Sequence, residues 1–322
     1  MCVQINTSLI ADVFLKTNTC CFPKGYLCSR NMIAQAPPHI LIADSGSTKT
    51  HWVLTNGRES IPFFTAGINP FYTGIEEIKQ LLLNELVPNL PHKPSAIFFY
   101  GAGLSQPDNV QAVGKALQAL FPAVPVGVEH DLLAAARATC RNNPGIACIL
   151  GTGSNSCLYD GEKITDNIPS LGFFLGDEGS GASLGRKLLQ AYFYRELPDD
   201  LRSSLEQHHD MNRQTILNAV YHQPLPNRFV ASFSRFLTQN NQHPAAHALL
   251  YEAFSEFIQR HVCKYAGHKQ LPVHFIGSVA KLNESILTEV LLKAGLTKGL
   301  FLQSPMEGLI AFHSNMQLNA LS

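Results

Sequence analysis

The stretch that decides the fold is Leu150-Gly151-Thr152-Gly153-Ser154-Asn155. It follows an apolar run, Ile146–Leu150, that predicts a buried strand, and a second strand is predicted directly after it. A stretch of the same kind stands earlier in the chain: Asp44-Ser45-Gly46-Ser47-Thr48-Lys49-Thr50, again between two predicted strands. Each is a tight turn rich in glycine and hydroxyl groups, so the chain carries one strand–turn–strand unit twice.

The elements that follow each turn set the fold class. In the first unit three strands are followed by alternating helices and strands, with helices predicted at Thr73–Leu86, Pro107–Leu120 and Asp131–Cys140. In the second unit a third strand is predicted at Glu162–Ile168, and a long helical region, about Glu178–Arg260, precedes the last strands and helices. This order predicts an α/β fold with mixed sheets, present as two copies of one architecture.

Composition and charge exclude several classes of protein. Lysine and arginine number 24, as do aspartate and glutamate, so the net charge is zero, which argues against nucleic-acid binding. No apolar run approaches the ~18 residues that a membrane helix needs. The eight cysteines lack the spacing of a zinc site and are typical of reduced thiols, so we expect a cytoplasmic protein.

The beginning of the chain differs from the rest. Residues 1–31 have no periodic pattern and lack the apolar core of a signal peptide. We therefore expect residues 1–38 to form a disordered extension, with the folded protein starting near residue 38. Met32 is a candidate for the true start.

Both turns suit the binding of phosphate groups. Backbone N–H groups and hydroxyls in a tight turn donate hydrogen bonds to phosphate oxygens, and glycine allows a close approach. Asp44, at the end of a strand, has the ligand chemistry to hold hydrated Mg²⁺. An ordinary hairpin is the alternative for either turn alone. Two such turns at matching places favour a pair of hairpins that grip a triphosphate from both sides.

Three further places have residues suited to chemistry. Asp131 follows a predicted strand directly and suits a general base for a hydroxyl, with helix capping as the alternative. The run Gly176-Asp177-Glu178-Gly179-Ser180-Gly181 puts three glycines where a helix begins, which indicates close approach of another group. Asp177 as a helix N-cap is the alternative there. Gly277-Ser278 follows a buried strand, a junction that suits a nucleotide base or ribose.

Taken together in this order, these segments resemble the actin–hexokinase–chaperone superfamily. More closely they resemble the BadF/BadG/BcrA/BcrD ATPase family and its N-acetylglucosamine kinase-like members, through Leu150–Asn155 and Gly176–Ser180. The resemblance implies two actin-like ATPase (ribonuclease H-like) domains with mixed five-stranded sheets around a central cleft. It implies domains at residues 39–140 and 141–304, and a C-terminal helix at 305–322 that packs back on the first domain.

The resemblance also implies roles for individual residues. Asp131 would be the catalytic residue, and Asp44 would hold Mg²⁺. ATP would be bound by residues of the two turns and of the later glycine junction: Gly46, Ser47, Thr48, Lys49, Thr152, Gly153, Gly277 and Ser278. The sugar would be bound by polar and glycine residues around the cleft: Asn69, Asn155, Gly172, Asp177 and Glu178.

The implied function is ATP- and Mg²⁺-dependent phosphorylation of N-acetylglucosamine at its 6-hydroxyl. The implied partners are the sugar and ATP, without nucleic acid or membrane, and a homodimer is compatible with the sequence. One departure concerns Leu171, which stands where animal N-acetylglucosamine kinases have the tryptophan of a Gly-Trp-Gly segment. The wall of the sugar pocket therefore differs, and a kinase for N-acetylmuramic acid, glucosamine or another sugar is an alternative.

Two alternatives lie outside sugar phosphorylation. The redox-coupled branch of the same ATPase family acts on a non-sugar partner and carries a [4Fe–4S] cluster held by cysteines. Cys148, inside a predicted strand, matches that cluster motif poorly. A nucleotide-dependent binding protein that has lost turnover would keep the fold. The presence of every polar motif position argues against such a loss.

Overall fold

The computed structural model of the chain describes residues 38–46, 48–70 and 73–321. The N-terminal extension expected before residue 38 and the role predicted for Ser47 lie outside the described residues. Within the described ranges, none of the helices is both long and apolar enough to span a lipid bilayer.

The first five-stranded sheet is built from the first unit of the chain. Its strands are β1 (Ile40–Ser45), β2 (Lys49–Thr55), β3 (Ser60–Ala66), β4 (Ala96–Gly101) and β5 (Val126–His130). They lie in the order β3-β2-β1-β4-β5. The first three strands are antiparallel, whereas β1, β4 and β5 are parallel, so the sheet is mixed as predicted.

The second five-stranded sheet repeats this arrangement. Its strands are β6 (Gly145–Leu150), β7 (Ser154–Tyr159), β8 (Ile164–Asp166), β9 (Pro272–Ile276) and β10 (Thr297–Leu302). They lie in the order β10-β9-β6-β7-β8, with β6, β7 and β8 antiparallel and β6, β9 and β10 parallel. The repeat predicted from the two glycine turns is therefore confirmed at the level of topology.

Helices connect and cover the sheets. In chain order they are α1 (Ile75–Glu85), α2 (Pro107–Leu120), α3 (Asp131–Cys140), α4 (Gly172–Leu175), α5 (Gly181–Phe193), α6 (Asp199–His208), α7 (Arg213–Tyr221), α8 (Pro226–Ser232), α9 (Ser234–Gln239), α10 (Pro244–Arg260), α11 (Ser278–Leu282), α12 (Glu284–Lys293) and α13 (Met306–Leu321). Short 3₁₀ turns lie at Val87–Asn89 and Val262–Lys264. The helices α2 and α3 have the bounds that the sequence predicts.

The helical region predicted between Glu178 and Arg260 divides into α5–α10. Its prolines mark helix beginnings: Pro198 is the N-cap of α6, Pro226 is the first residue of α8, and Pro244 is the first residue of α10. Proline is suited to the first helical turn, because the N–H that it lacks has no partner there. These helices pack against one face of the second sheet in a large apolar core.

The alanine-rich helix α3 lies between the two sheets. Most of its residues are buried, and it contacts β1, β4 and β5 of the first sheet and β6, β7, β9 and β10 of the second. Alanine side chains allow this close packing on several sides because they are small. Asp131, at the N-terminus of α3, therefore lies where the two halves of the chain meet.

The C-terminal helix α13 packs on α3 and on β1 and β2 of the first sheet. Gly308 allows this approach, since a Cβ there would clash with the backbone oxygen of Ala138. His313 stacks on Phe98, with ring centroids 3.8 Å apart, and hydrogen-bonds to the hydroxyl of Tyr100 at 2.9 Å. The helix that ends the second half of the chain is thus anchored on the first half.

Strand β8 is shorter than the sequence predicts. The expected strand runs from Glu162 to Ile168, but the pairing with β7 ends at Asp166. Beyond that point the Asn167 amide donates to the backbone oxygen of Ser156 at 2.6 Å. The chain therefore leaves the ladder through a side-chain contact that strand periodicity does not reveal.

Candidate active site

The first glycine turn joins β1 and β2. The Gly46 amide donates to the Lys49 oxygen at 3.1 Å, which closes the turn. The side chains of Thr48 and Lys49 are exposed, and the Lys49 ammonium lies 5.3 Å from the centre of the Phe64 ring. The hydroxyls of Ser45 and Thr50 are buried and bond to each other at 2.8 Å. The turn therefore has a fixed base and an exposed tip.

Asp44 and Asp131 are neighbours at this edge of the first sheet. Burial raises the pKa of Asp44 to about 6, with a further contribution from the charge of Asp131. Burial likewise raises the pKa of Asp131 to about 6, against the smaller effect of the backbone amides of Leu132 and Asp131. Both side chains remain partly accessible. Two carboxyl groups in this setting suit a metal ligand and a general base at neutral pH.

The N-cap of α3 is His130, not Asp131. The Nδ1 atom of His130 accepts a hydrogen bond from the Leu133 amide at 3.3 Å. Asp131 as the N-cap residue is therefore wrong. The base role itself stays a prediction.

The loop after β3 brings Asn69 to the same edge. The Ser45 hydroxyl bonds both the amide and the oxygen of Ile68 at 3.1 Å, which ties the loop to the end of β1. Asn69 is the next residue and is partly buried, and its backbone oxygen accepts a hydrogen bond from the Thr73 amide. The structure therefore ties the loop that carries Asn69 to the end of β1, next to Asp44 in the chain.

The second glycine turn joins β6 and β7 and leans on the start of α5. The Gly181 amide donates to the Gly151 oxygen at 2.8 Å, and the Ala182 amide donates to the Thr152 oxygen at 3.1 Å. The Thr152 side chain is exposed. A Cβ added at Gly151 would meet nothing within 4 Å, so open space lies above the turn.

Asp177 is turned towards this second turn. Its φ of 57° is left-handed, and its Oδ1 accepts from the Ser170 hydroxyl at 2.6 Å and the Ser154 amide at 3.4 Å. A Cβ at Gly153 would lie 2.9 Å from the Asp177 Oδ2, which explains the glycine. The N-cap of α5 is Ser180, so the capping alternative for Asp177 is wrong.

Glu178 is buried and paired on both carboxylate oxygens. Its Oε1 accepts from Arg260 at 3.0 Å and its Oε2 accepts from the His261 ring at 3.1 Å. Burial raises the pKa of Glu178, but the hydrogen bond from His261 and the charge of Arg260 outweigh it, so the pKa lies below its ordinary value. Glu178 thus joins the segment before α5 to the end of α10.

The glycine junction at Gly277 lies beside the second turn. Gly277 has φ of +120°, and a Cβ there would clash with the backbone oxygen of Leu150. Its amide donates to the Leu302 oxygen at 3.0 Å, while the Ser278 side chain is exposed. Packing against Leu150 is therefore sufficient to require glycine, and contact with adenosine stays a prediction.

The segment before Asp177 carries an exposed apolar surface. Leu171, Phe174 and Leu175 are 63%, 72% and 76% exposed. They flank Gly172, which has φ of +72° and open space where a Cβ would stand. Leu171 therefore faces solvent rather than the core.

Comparison with solved structures identifies the family. A protein from Porphyromonas gingivalis that is assigned as an N-acetylglucosamine kinase is 44% identical to this chain, over 86% of this chain and 99% of its own, with a TM-score of 0.81. The chain belongs to the N-acetylglucosamine kinase-like family. A protein from Chromobacterium violaceum with the same assignment is 19% identical, over 86% and 99% of the two chains, with a TM-score of 0.67. No family model and no curated protein matches the sequence.

More distant similarity shows the fold alone. A transcriptional regulator of the ROK family, a homologue of the Escherichia coli MLC protein, is 16% identical over 88% of this chain and 80% of its own, with a TM-score of 0.52. The two mixed five-stranded sheets and the similarity to the Porphyromonas gingivalis protein confirm the predicted α/β fold class.

The residues at the edge of the two sheets have donor and acceptor groups that fit a nucleotide and a divalent metal ion. The exposed Thr48 and Thr152 hydroxyls and the space above Gly151 suit phosphate groups. Mg²⁺ is commonly held by one or two carboxylates together with waters and substrate phosphates. The pair formed by Asp44 and Asp131 suits such a cation, because a positive charge offsets their burial and mutual repulsion.

Sequence reasoning missed several residues that hold this kinase-like site together. Asn167 donates to the Oδ1 atom of Asn155 at 3.1 Å, and Ser170 donates to Asp177. His261 and Arg260 hold Glu178 from the far end of α10. No spacing in the sequence reveals these contacts, because the partners lie far apart in the chain or on irregular segments.

Proposed function

We propose that this protein transfers the terminal phosphoryl group of ATP to the 6-hydroxyl of N-acetylglucosamine. The observation that carries the proposal is the position of Asp131, at the head of the helix between the two sheets and beside Asp44. Its support is the 44% identity to a protein assigned as an N-acetylglucosamine kinase. Phosphoryl transfer depends mainly on positioning and electrostatic stabilisation, which two opposed turns and a cleft can supply.

Asp131 would act as the general base. A base is most effective when its pKa lies near the working pH, and burial raises the pKa of Asp131 to about 6. At neutral pH its carboxylate is ionised and would accept the proton of the sugar hydroxyl. Because α3 is packed on both sides, the carboxylate is held in place without support from the substrate.

Asp44 would hold Mg²⁺ through water, and the bound ion would neutralise charge on the phosphate groups. The exposed Thr48 and Thr152, with Gly46 and Gly153, would contact phosphate oxygens from opposite sides. Gly277 and Ser278 would lie along the adenosine. We propose Ser47 and Lys49 as further contacts of the nucleotide on the grounds of sequence.

Polar groups from both halves would bind the sugar. Asn69 would approach from the loop after β3, while Asn155 and Asp177 would approach from the second sheet and the start of α5. Gly172 leaves room for the substrate. Glu178, whose two oxygens already accept from Arg260 and His261, would contribute through its remaining lone pairs.

A kinase for another sugar is favoured by one observation. Leu171 is 63% exposed beside Gly172, so the pocket wall lacks the flat aromatic surface of the family tryptophan. A bulkier substituent, such as the lactyl ether of N-acetylmuramic acid, would then meet less obstruction. The redox-coupled ATPase has less support, because Cys148 is fully buried inside β6 and does not face a partner.

Release of ADP by the purified protein with Mg²⁺ and a panel of sugars tests the proposal. The panel contains N-acetylglucosamine, N-acetylmannosamine, N-acetylmuramic acid, glucosamine, glucose and no sugar. We expect ADP release that depends on N-acetylglucosamine, with the 6-phosphate identified by mass spectrometry and NMR. Strongest turnover with another sugar would reassign the substrate, and equal release with and without every sugar would refute the kinase.

A further inference from the structure

We infer that the loop Asn167–Ser170, between β8 and α4, is a positioning device that sets which hydrogen-bonding groups face the sugar. It would fix Asn155 as a donor and Asp177 as an acceptor. Asn167 and Ser170 act through these two residues rather than by touching the substrate. The inference rests on the proposed function, in which Asn155 and Asp177 bind the sugar.

The amide of Asn155 lies on the face of β7 that points to α3. In the sheet Asn155 is paired with Ile149 of β6. It stands two residues before Cys157, which packs in the apolar core that includes α3. Alternate residues of a strand share a face, so the Asn155 side chain lies on the same side of the sheet as α3 and near its head, Asp131.

The orientation of the Asn155 amide is set by two donors. Its Oδ1 accepts from the Ser156 amide at 2.9 Å and from the Asn167 Nδ2 at 3.1 Å. A carbonyl oxygen has two lone pairs, so both are used. Among the described residues the Asn155 Nδ2 donates no hydrogen bond, so in the proposed complex this N–H₂ group would donate to the sugar.

The orientation of Asn167 is fixed in turn by the backbone. Its Nδ2 donates to the oxygen of Ser156 at 2.6 Å, and a backbone oxygen can only accept. The N–H₂ group of Asn167 must therefore point towards Ser156 and Asn155. A backbone oxygen and a backbone N–H of one residue, Ser156, thus determine the direction of both side-chain amides.

The carboxylate of Asp177 is held so that it presents a hydrogen-bond acceptor, whereas Asn155 presents a donor. Its Oδ1 accepts from the Ser170 hydroxyl at 2.6 Å and from the Ser154 amide at 3.4 Å. This leaves Oδ2, which lies against the space at Gly153. A carboxylate only accepts, so Asp177 offers an acceptor where Asn155 offers a donor.

The loop does not depend on a ligand for its own position. The hydroxyl of Tyr265 accepts from the Ile168 amide at 3.0 Å and bonds the Ser156 hydroxyl at 2.7 Å. Tyr265 is only 1% exposed, so its anchor is rigid. A preorganised donor and acceptor favour a substrate that presents an acceptor oxygen beside a hydroxyl donor, as an N-acylated amino sugar does.

A double-mutant cycle tests the inference through the kinetics of the proposed reaction. In Asn167→Ala the Asn155 amide loses its restraint, and we expect the KM for the sugar to rise about tenfold. The KM for ATP should stay within about twofold, because the phosphate turns are untouched. In an Asn155→Ala background, Asn167→Ala should have no further effect on kcat/KM for the sugar. Ser170→Ala is the second variant and should also raise the KM for the sugar selectively.

Thr165→Ala is the matched control. Thr165 is exposed on β8, just before the loop, and its hydroxyl donates to the Leu158 oxygen at 3.3 Å. Its removal should therefore leave both KM values unchanged. Additive effects of Asn155→Ala and Asn167→Ala, or an equal rise of both KM values, would overturn the inference and leave the kinase standing. Absence of sugar-dependent ADP release from the unaltered protein would overturn the proposed function, and the inference with it.

Discussion

Asp131, at the start of α3, lies close enough to Asp44, at the end of β1, for its charge to act on the Asp44 carboxyl. Burial is the larger cause that raises the pKa of Asp44 to about 6, and the charge of Asp131 adds to it. Two carboxyl groups that are hard to ionise together are a poor choice for stability alone. In the proposed reaction both charges would be used, one to hold a cation and one to accept a proton.

The role of Asp131 can be separated from its effect on stability. We expect Asp131→Asn to lower kcat by about 10²–10⁴-fold, because an amide cannot accept the proton. Burial raises the pKa of Asp131 from 3.8 to about 6 in the folded state, so the cost of its ionisation to folding grows as the pH rises from about 4 and is fully present above about pH 6. The variant should therefore be more stable than the unaltered protein at pH 7, by on the order of 2 kcal/mol. Turnover assays and chemical denaturation measure the two effects.

The control for Asp131→Asn is Asp108→Asn, which removes an exposed carboxylate from the first turn of α2. It should change neither kcat nor stability appreciably. Near-normal turnover of Asp131→Asn would remove Asp131 from the base role.

The rate should depend on pH through the same groups. Because burial raises the pKa of Asp131 to about 6, kcat/KM should rise with pH below that value and level off near pH 7. Asp44 titrates in the same range, so the acid limb should have a slope between about one and two. Saturating Mg²⁺ should move the limb to lower pH, because the cation favours the ionised carboxylate. A flat profile between pH 5 and 7 would contradict this assignment.

The sequence predicts those parts of the fold that local pattern determines. The bounds of α3 follow from an apolar run that begins directly after a strand, and the two glycine turns follow from strand–turn–strand spacing. The pairing of Asn167 with Asn155, and of Glu178 with His261, depends on how distant segments meet. Such contacts leave no periodic signal, so the polar residues that support the site are visible only in the structure.

The hydrogen bond between Glu178 and His261 should contribute to folding. His261 is 4% exposed and stacks on Phe257, with ring centroids 5.0 Å apart. Removing it in His261→Ala leaves one buried carboxylate oxygen without its donor, and we expect a loss of about 3 kcal/mol at pH 7. Urea denaturation measures the loss.

The loss should shrink in acid. The pKa of Glu178 lies below its ordinary value in the folded state, so the pair stabilises the protein above pH ~4.5 and loses that effect as pH falls. His222→Ala, at the exposed end of α7, is the matched control and should stay within about 0.5 kcal/mol. Equal losses for the two variants would show that the contact with Glu178 contributes nothing.

Two glycines with positive φ allow backbone strain to be separated from steric contact. Gly295 has φ of +69° and nothing within 4 Å of an added Cβ, so Gly295→Ala should destabilise the fold by about 1 kcal/mol through conformation alone. Gly277 has φ of +120°, and there the added Cβ would also clash with the backbone oxygen of Leu150. We expect Gly277→Ala to lower the free energy of unfolding by at least about 3 kcal/mol, since Leu150 must move.

The two variants should also differ in turnover. Gly277→Ala should lower turnover, because Leu150 begins the second glycine turn, whereas Gly295→Ala should leave turnover intact. Thermal melting and ADP release for both variants check this, and similar values for the two would show that Leu150 yields easily.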